Sequence, residues 1–580
     1  MSGTSVSMNA ATSKIIIAVD FGTTCSSLGY VHTSEGKDGK IIKKWPDSVQ
    51  ATEWVPTTIK YNDEDDLTSY KWGYQLEEDE IKHEWFKLGL NPELQRKGLA
   101  NEYPSRTALP MVEGAECERL VTDYLRGLRQ HADQYITEKF GDVILKNRKP
   151  QYIITVPAVW SEKAQATTRQ CAQNGGMGNK TNIQIITEPE AAGIYALKNM
   201  KLGLKLDETF VLCDAGGGTV DLISYTVAEL GKAPLIYESA PGSGGLCGST
   251  FLNRIFDDYL RQKFAGYKKW DDGYHQDARH RFEIKIKREF DGDLKKPFYV
   301  PARGLSSNSG LDIANGQVEI TGKRLQKIFE PVIMEVLSLI RAQIRATNRT
   351  VNAVLLAGGF GQSKYLKKRI QEEVGEVRVI SIEDGDTAIV RGALIRGLTE
   401  RSPKLATVRI GARKARRHYG TLAYNIFDPE KHDENRKEED EFAGGHRVQV
   451  MSWFITKGSS VEESKPAKFP FYWDKKVAEG RPSIIEMTIY ASPSSITASR
   501  DADHRDYTDN NLFIEVKKLV ELRADVTSIP IGQFNQEPGE HGDMYYKLDF
   551  DIEMTCRSGS LKFGIVYKNK SYDTVRQDFV

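Results

Sequence analysis

Two glycine-rich segments of the chain carry the residue types that a phosphate group needs. The first is DFGTTCS, which begins at Asp20, and the second is DAGGGTVD, which begins at Asp214. Glycine lets backbone N–H groups approach an anion closely, and threonine adds hydroxyl donors. The candidate phosphate-binding residues are Gly22, Thr23 and Thr24 in the first segment, and Gly216, Gly217, Gly218 and Thr219 in the second. The chemistry that they suggest is the binding of a polyphosphate between two loops.

Three aspartates accompany these loops, namely Asp20, Asp214 and Asp221. Carboxylates repel phosphate unless a cation lies between them, and proteins hold Mg²⁺ with a few carboxylates, several waters and phosphate oxygens. The pattern therefore predicts a Mg²⁺–nucleotide clamp. The alternative is that both segments are ordinary turns in which aspartate caps a strand end, because the chain contains neither a GxxxxGK(S/T) loop nor a proper GxGxxG fingerprint.

The elements that must position these loops are short strands. Up to about residue 400, β-branched runs alternate with helical patterns, which predicts an α/β architecture. The run IIIAVD from Ile15 precedes the first loop and TFVLCDA from Thr209 precedes the second, while helices are predicted from Ser161 and Thr321. Since a strand, an aspartate and a glycine-rich turn occur twice in the same order, the pattern favours duplicated half-domains that face one cleft over two unrelated turns.

The chain changes in character near residue 400. The basic run RKARRH at 413–418 and the charged run at 428–441 predict solvated connecting segments. Beyond them lie short alternating segments, such as RVQVMSWFI from Arg447 and MYYKLDFDIEMTC from Met544. The sequence thus predicts an α/β domain at about 14–400 and a β-rich, sandwich-like domain at about 405–580.

The composition excludes several classes of function. Lys+Arg and Asp+Glu are both 80, so the balance of charge gives no overall attraction to nucleic acid or to an anionic membrane. We find no run of about eighteen apolar residues, the length that a membrane span needs. Six cysteines without a CxxC pair predict a reducing compartment, the cytoplasm. Residues 1–13 are polar and small, and they are predicted to be disordered.

Five segments in order resemble the nucleotide-binding motifs of the 70-kDa heat-shock chaperones, which belong to the actin-like ATPase superfamily. They are DFGTTCSSLGY, YIITVPAVWSEKAQATTRQCAQNGG with IITEPEAAGIYAL, FVLCDAGGGTVDLISY, VLLAGGFGQSKYLKKRI and IEDGDTAIVRGALIRG, and they lie within residues 15–398. The resemblance implies a duplicated actin-like (ribonuclease-H-like) fold with two lobes around a nucleotide cleft. It also implies ATP and ADP as ligands, Mg²⁺ as cofactor and K⁺ as a further candidate cation.

The resemblance implies a role for each matching residue. Asp20 and Asp214 would hold Mg²⁺, largely through water. Glu188 would place the attacking water, and Lys87 would reach the γ-phosphate. The other implied residues are Gly22, Thr23, Thr24, Gly216, Gly217 and Gly218 around the phosphates, Thr219 and Asp221 at the γ-phosphate and its cation, Lys287 and Arg288 stacked on adenine, Gly358 and Gly359 beneath the nucleoside, and Asp386 near the cation and water.

Structural roles remain as alternatives at four of these positions. Lys87 could equally be a surface lysine, and Lys287 and Arg288 could line a solvated helix face. Glu188 could cap the helix that begins near it, since the first turn of a helix favours an acid.

Three features depart from the chaperone pattern. Gln165 stands eight residues after Pro157, where the chaperones have an arginine that helps to signal the ATP state to the second domain, and glutamine cannot form the charge-assisted pairs of arginine. The connection after the first domain is basic rather than acidic and leucine-rich, and no helical lid or acidic tail is expected. We expect a lid-less relative whose β-rich domain binds extended or unfolded polypeptide.

The leading function is therefore slow hydrolysis of Mg-ATP coupled to closure of the lobes. The alternatives are an ATP-binding scaffold with negligible hydrolysis, a small-molecule kinase of the same superfamily, and an actin-like filament.

Overall fold

The computed structural model describes fourteen parts of the chain, which form two compact units divided between Arg409 and Ile410. The described residues are 15–33, 39–63, 66–77, 80–92, 99–104, 112–141, 145, 150–179, 181–199, 202–401, 408–463, 465–492, 516–557 and 560–573. The segment predicted to be disordered, residues 1–13, lies outside them.

The first unit mixes strands and helices, which confirms the predicted α/β class. Its strands are β1 (Ile15–Asp20), β2 (Cys25–His32), β3 (Lys40–Ile41), β4 (Val55–Pro56), β5 (Thr58–Tyr61), β6 (Tyr70–Trp72), β7 (His83–Glu84), β8 (Gln151–Val156), β9 (Ile183–Thr187), β10 (Thr209–Ala215), β11 (Val220–Glu229), β12 (Leu235–Gly245), β13 (Pro297–Pro301), β14 (Ile313–Ala314), β15 (Gln317–Thr321), β16 (Val351–Ala357) and β17 (Arg378–Ser381). Its helices are α1 (Leu99–Glu102), α2 (Gly114–Phe140), α3 (Glu162–Asn174), α4 (Glu188–Asn199), α5 (Thr250–Lys263), α6 (Asp272–Arg281), α7 (Lys287–Glu289), α8 (Gly322–Ala346), α9 (Gly358–Gly361), α10 (Lys364–Val374) and α11 (Ala388–Arg401).

Two of the sheets repeat one strand order. In the first, β1 pairs antiparallel with β2 and parallel with β8, and β8 pairs parallel with β9. In the second, β10 pairs antiparallel with β11 and parallel with β16, and β16 pairs parallel with β17. Because β1 and β10 occupy equivalent positions, the glycine-rich turns that follow them lie at equivalent edges of the two sheets.

Each of these sheets has a core of its own. The strand β1 is buried along its whole length, as expected for a strand that is apolar up to its final Asp20 and is covered on both faces. The first core includes Val19, Phe21, Leu120, Tyr124 and Ile154, and the second includes Val211, Leu222, Phe256, Phe329 and Leu356. Two rigid half-units can therefore carry one loop each.

Two predicted helices begin at side-chain caps. The Ser161 Oγ accepts a hydrogen bond from the Ala164 amide at 3.2 Å, and α3 follows. The Thr321 Oγ1 accepts one from the Arg324 amide at 3.2 Å, and α8 follows. Such caps satisfy amides of the first turn, which have no partner within the helix. None of the helices in the described part of the chain combines the length and apolar character needed to cross a bilayer.

The described residues of the second unit contain strands and short 3-10 turns but no α-helix. The strands are β18 (Arg409–Lys414), β19 (His418–Ile426), β20 (Glu438–Glu439), β21 (His446–Ile455), β22 (Ser460–Glu462), β23 (Ala467–Lys476), β24 (Ile484–Ser492), β25 (Lys517–Asp525), β26 (Asn535–Pro538), β27 (Met544–Arg557), β28 (Ser560–Tyr567) and β29 (Lys570–Asp573). One sheet has the order β20-β21-β19-β24-β25, and a second has the order β23-β27-β28-β29 with β26 beside β27. Residues of both sheets, including Ile489, Val520, Leu548, Ile552 and Ile565, share one buried cluster.

The prediction of a solvated connection at 413–418 is wrong at its first residue. Arg413 is 3% exposed, lies in β18, and its guanidinium is 3.4 Å from a Glu463 carboxylate oxygen. A cluster of basic letters cannot reveal this, because burial of the guanidinium depends on an acid fifty positions away in the chain.

Candidate nucleotide site

The two glycine-rich loops lie against each other in the first unit. A Cβ atom added to Gly217 would lie 2.2 Å from the Thr24 Oγ1, and one added to Gly218 would lie 2.7 Å from the Thr23 Cγ2. Contacts this close leave no room for a side chain at either of these two glycines. The structure therefore brings together the two loops that the sequence places far apart.

Hydrogen bonds to carbonyl oxygens fix the second loop. The Gly216 amide donates to the Thr219 carbonyl at 3.0 Å, which closes the turn. The Thr250 amide donates to the Gly217 carbonyl at 2.9 Å, and the Gly248 amide donates to the Gly218 carbonyl at 3.1 Å. With its carbonyl groups held from behind, the loop is a rigid element of the kind that can bind an anion without reorganising.

The first loop is fixed in a similar way by Thr57. The Thr57 Oγ1 donates to the Gly22 carbonyl at 2.9 Å, and the Thr57 amide donates to the Thr24 carbonyl at 2.8 Å. The Thr23 Oγ1 is buried and has no hydrogen-bond partner among the described residues. An unpaired buried hydroxyl in a rigid loop is a polar group that a ligand or water can satisfy.

Lys87 and Glu188 form a buried ion pair beside the loops. The Lys87 Nζ lies 2.6 Å from the Glu188 Oε1, and the two side chains are 1% and 8% exposed. The Nζ also lies 5.4 Å from the centre of the Phe21 ring and 5.3 Å from that of Trp160. The structure thus joins the two residues to which the resemblance gives roles at the γ-phosphate, and it excludes the alternative that Lys87 is a surface lysine.

Lys87 reaches this place through an unusual backbone. Trp85 has a left-handed conformation with φ of 62°, and the 3-10 helix Phe86–Leu90 follows it directly. All five residues of this helix are buried. The strained residue turns the chain so that a lysine points inwards.

Three further carboxylates share the site. Asp20 accepts a hydrogen bond from the Thr155 hydroxyl at 2.9 Å, and Asp221 accepts one from the Ala158 amide at 2.8 Å. Burial, followed by the charge of Glu188, raises the pKa of Asp20 to about 7 and that of Asp221 to about 7. Four acids therefore face one buried ammonium group, so the site is short of positive charge.

Asp214 lies at the centre of this acidic group. Burial first, and then the charges of Glu188, Asp221 and Asp20, raise the pKa of Asp214 well above its ordinary range. Its Oδ1 is buried without a hydrogen-bond partner among the residues that the structure describes. An additional cation would satisfy this oxygen and offset the shared negative charge.

The unpaired Oδ1 of Asp214 and the buried acids around it provide the kind of oxygen atoms that a Mg²⁺ ion prefers. In the described parts of the chain, no three His, Cys, Asp or Glu side chains are close enough together to ligate one ion directly. Mg²⁺ usually keeps several waters and takes only one or two carboxylates together with phosphate oxygens. The acids Asp20 and Asp214 suit that arrangement.

The residues that the resemblance assigns to the nucleoside lie behind the second loop. Gly358 has φ of 76°, and a Cβ atom there would lie 2.3 Å from the Ala215 carbonyl oxygen. A Cβ atom on Gly359 would lie 3.8 Å from the Asp386 Oδ1. Burial raises the pKa of Asp386, and the charge of Arg288 opposes this. The structure thus brings Gly358, Gly359, Asp386 and Arg288 into one neighbourhood.

Lys287 already has a partner in this part of the site. Its Nζ lies 2.5 Å from the Glu283 Oε2 and 3.2 Å from the Asn253 Oδ1. Burial lowers the pKa of Lys287, and the charge of Glu283 opposes this. The alternative of a fully solvated helix face therefore does not hold for Lys287, although Arg288 is exposed.

A π-helix over Phe282–Ile286 comes directly before these two basic residues and so affects the directions in which they leave the helix. Such an extra residue per turn is uncommon and is frequent at functional sites. No motif marks the π-helix or the pairing of Glu283 with Lys287. Trp160 lies within one of the five motif segments, but that segment does not reveal its contact with Lys87.

The amino-acid sequence of the chain is similar to those of several known proteins. No family model matches the chain. It is 24% identical to human heat shock 70 kDa protein 12A over 665 aligned residues, which cover 96% of the chain and 92% of that protein. It is 23% identical to human heat shock 70 kDa protein 12B, with 73% of each chain covered. It is also 26% identical to the chaperone protein DnaK of Deinococcus radiodurans over 51% of the chain and 45% of that protein.

The chain is thus a distant homologue of 70-kDa heat-shock proteins. The similarity extends over nearly the whole chain, because the match to the 12A protein leaves little of either sequence unaligned. The shorter match to DnaK covers about half of each chain.

Proposed function

We propose that this protein binds Mg-ATP between the two glycine-rich loops of its first unit and hydrolyses it slowly, with closure of the two lobes. The observation that carries the proposal is the contact of Thr23 and Thr24 with Gly217 and Gly218. The loops follow β1, whose last residue is Asp20, and β10, which has Asp214 as its last residue but one.

We infer that the first unit has the actin-like, two-lobed fold. The repeated strand order of its two sheets supports this inference, because a duplicated half-domain brings equivalent loops to a shared cleft. The adenosine would lie against Gly358 and Gly359, with Lys287 and Arg288 facing its base. Because Gly358 and Gly359 have no side chains, their backbone can approach a flat ring closely.

The phosphates would be bound by backbone amides and hydroxyls of both loops. Thr23 has an unpaired hydroxyl for this purpose, and Thr219 lies at the end of the second loop. Mg²⁺ would neutralise phosphate charge in the transition state while being held, through water, by Asp20 and Asp214, near Asp221 and Asp386. K⁺ is a further cation that the excess of carboxylates would accommodate.

Glu188 would orient the attacking water in the hydrolytic step. Phosphoryl transfer to water needs positioning and charge stabilisation rather than covalent catalysis. In the structure, the Glu188 Oε1 is paired with the Lys87 Nζ at 2.6 Å. We expect slow turnover because the carboxylate becomes free to accept a proton of the water only after Lys87 has moved to the γ-phosphate.

We further propose that the second unit binds extended polypeptide. Two observations support this proposal: a relative carries the name chaperone protein DnaK, and among the described strands β23 pairs with β27 alone and so lies at an edge. A sheet edge and the adjacent surface can accept an added strand. The six cysteines, all of which lie among the described residues, form no disulfide bond, which suits a reducing compartment such as the cytoplasm.

Single-turnover hydrolysis tests the proposed activity. Trace ATP labelled at the γ-phosphate is mixed with excess protein and Mg²⁺, and release of phosphate is followed. We expect a measurable rate in the wild type, a rate at least about 100-fold lower in Glu188→Gln, and ATP affinity within a few-fold. The matched control is Glu190→Gln, which alters another buried acid of α4 and should retain the rate within about threefold.

Other outcomes identify the alternatives. Binding of ATP without measurable hydrolysis, unchanged in Glu188→Gln, would make the protein an ATP-binding scaffold. Transfer of the label to a sugar in a panel of candidate substrates would make it a kinase.

A further inference from the structure

The ammonium group of Lys87 lies between two aromatic rings. The centres of the Phe21 and Trp160 rings are 5.4 Å and 5.3 Å from the Nζ. Both residues are buried: Phe21 has no exposed surface, and Trp160 is 2% exposed. Among aromatic side chains, tryptophan attracts a cation most strongly, and the attraction grows when both groups are desolvated. Trp160 is therefore the stronger of the two aromatic partners of Lys87.

The main chain holds Trp160 in this position. Its amide donates to the Pro157 carbonyl at 3.3 Å, and its carbonyl accepts a hydrogen bond from the Gln165 Nε2 at 3.0 Å. Gln165 is itself buried, in the first turn of α3. This is the position at which the chaperone pattern has an arginine. In this chain its glutamine fastens the turn that carries the ring.

The polar atom of Trp160 does not explain why the residue is buried here. Buried indole N–H groups usually have a hydrogen-bond partner, but the Trp160 Nε1 has none among the residues that the structure describes. The ring packs in the apolar core of the first sheet, and its face also lies 5.3 Å from the Lys87 Nζ. The indole is thus placed to attract the ammonium group through its π-face.

We propose that Trp160 is a positioning residue for Lys87 in ATP hydrolysis. The proposal rests on the proposed function and adds a residue to it. The ring restrains the Nζ to the short path between the Glu188 Oε1 and the γ-phosphate, and it stabilises the ammonium group while the ion pair opens. Loss of the ring lets the lysine adopt other rotamers, so the step that depends on Lys87 slows.

The test compares three variants in the single-turnover assay, together with the affinity for ADP. Trp160→Leu removes the ring and should lower the hydrolysis rate about 5-fold to 30-fold. Trp160→Phe keeps an aromatic ring and should recover the rate to within about threefold of the wild type. Affinity for ADP should stay within about twofold in both, because ADP has no γ-phosphate for Lys87 to reach. Trp54→Leu, which removes a partly exposed indole, is the matched control and should behave as the wild type.

A double-mutant cycle separates positioning from a merely structural role. In a Lys87→Met background, Trp160→Leu should cause no further loss of rate, because the group that the ring positions is gone. An undiminished effect in that background would overturn the proposal, as would a wild-type rate in Trp160→Leu or an equal loss of ADP affinity.

The proposed function has a separate point of failure. If the wild type releases no phosphate and Glu188→Gln behaves identically, ATP hydrolysis itself is refuted, and the role of Trp160 with it. If the wild type hydrolyses ATP and Trp160→Leu does so equally fast, only the role of Trp160 is refuted.

Discussion

Replacement of Gly217 by alanine tests whether contact between the two loops matters for nucleotide binding. The new methyl group would lie 2.2 Å from the Thr24 Oγ1, 3.0 Å from its Cγ2 and 3.1 Å from its Cβ. Rotation of the threonine cannot relieve the overlap, since all three atoms are too close. The loops must then separate by about 1 Å, and overpacking of this kind costs about 1–3 kcal/mol.

The expected result is a loss of ATP affinity. If the closed arrangement of the loops is the one that binds, this cost corresponds to a dissociation constant about 5-fold to 150-fold higher. Isothermal titration of Mg-ATP measures it. Gly216→Ala is the matched control: its methyl group would come no closer than 3.4 Å to the Thr219 carbonyl oxygen, and we expect affinity within about twofold of the wild type.

Both variants keep every backbone amide of the loop, so the comparison isolates the space between the loops. Equal affinity for ATP in Gly217→Ala and Gly216→Ala, with both proteins folded, would refute the reasoning that the loops close on the phosphates from opposite sides.

Two predictions concern stability. Gly358 has φ of 76°, and a Cβ atom there would lie 2.3 Å from a carbonyl oxygen, so Gly358→Ala should lower the free energy of unfolding in urea by about 2–4 kcal/mol. Gly375 has φ of 59° but open space around it, so Gly375→Ala should lower this free energy by only about 1 kcal/mol. Equal losses in the two variants would contradict the role of the contact. The second concerns Asp257: burial opposes ionisation, but hydrogen bonds from His275 at 2.6 Å and Arg261 at 2.9 Å outweigh it and lower the pKa of the carboxyl to about 2. A depressed pKa contributes stability that is present above about pH 4 and is lost towards pH 2. Between these pH values the free energy of unfolding of the wild type should fall by about 2 kcal/mol more than that of Asp257→Asn. An equal fall in the two proteins, measured by urea unfolding, would contradict this.

Local elements of the first unit follow from the sequence because neighbouring residues decide them. The strand β1 ends at Asp20, where the apolar run ends. The helices predicted from Ser161 and Thr321 begin one residue later, with those side chains as their caps. Capping and apolar patterning act within a few residues, so one sequence suffices to recognise them.

Contacts across the site do not follow in this way. The pair of Lys87 and Glu188 joins positions about one hundred residues apart, and the motif around the lysine is weak. The ring of Trp160 beside that pair and the π-helix before Lys287 depend on the packing of whole helices. The conformational preferences of neighbouring residues do not determine contacts between distant parts of the chain, so these contacts are apparent only in the folded structure.

The strands of the second unit illustrate an intermediate case. The strand predicted from Met544 is observed as β27, since its alternating residues face core and solvent in turn. The basic run at 413–418, by contrast, was predicted to be solvated and contains the buried Arg413. Alternation of apolar and polar residues indicates which face of a strand is buried. The charge of a residue does not indicate whether a buried residue of opposite charge lies next to it in the fold.

Titration of the wild-type protein with ATP, in the presence and absence of Mg²⁺, bears most directly on the claim that two acid-bearing loops enclose one polyphosphate. We expect saturable binding of one ATP per chain with Mg²⁺ and at least about tenfold weaker binding when the metal is chelated, because the carboxylates then face the phosphates without a neutralising ion. An absence of ATP binding with Mg²⁺ at millimolar concentration, or binding of equal strength without it, would contradict the account.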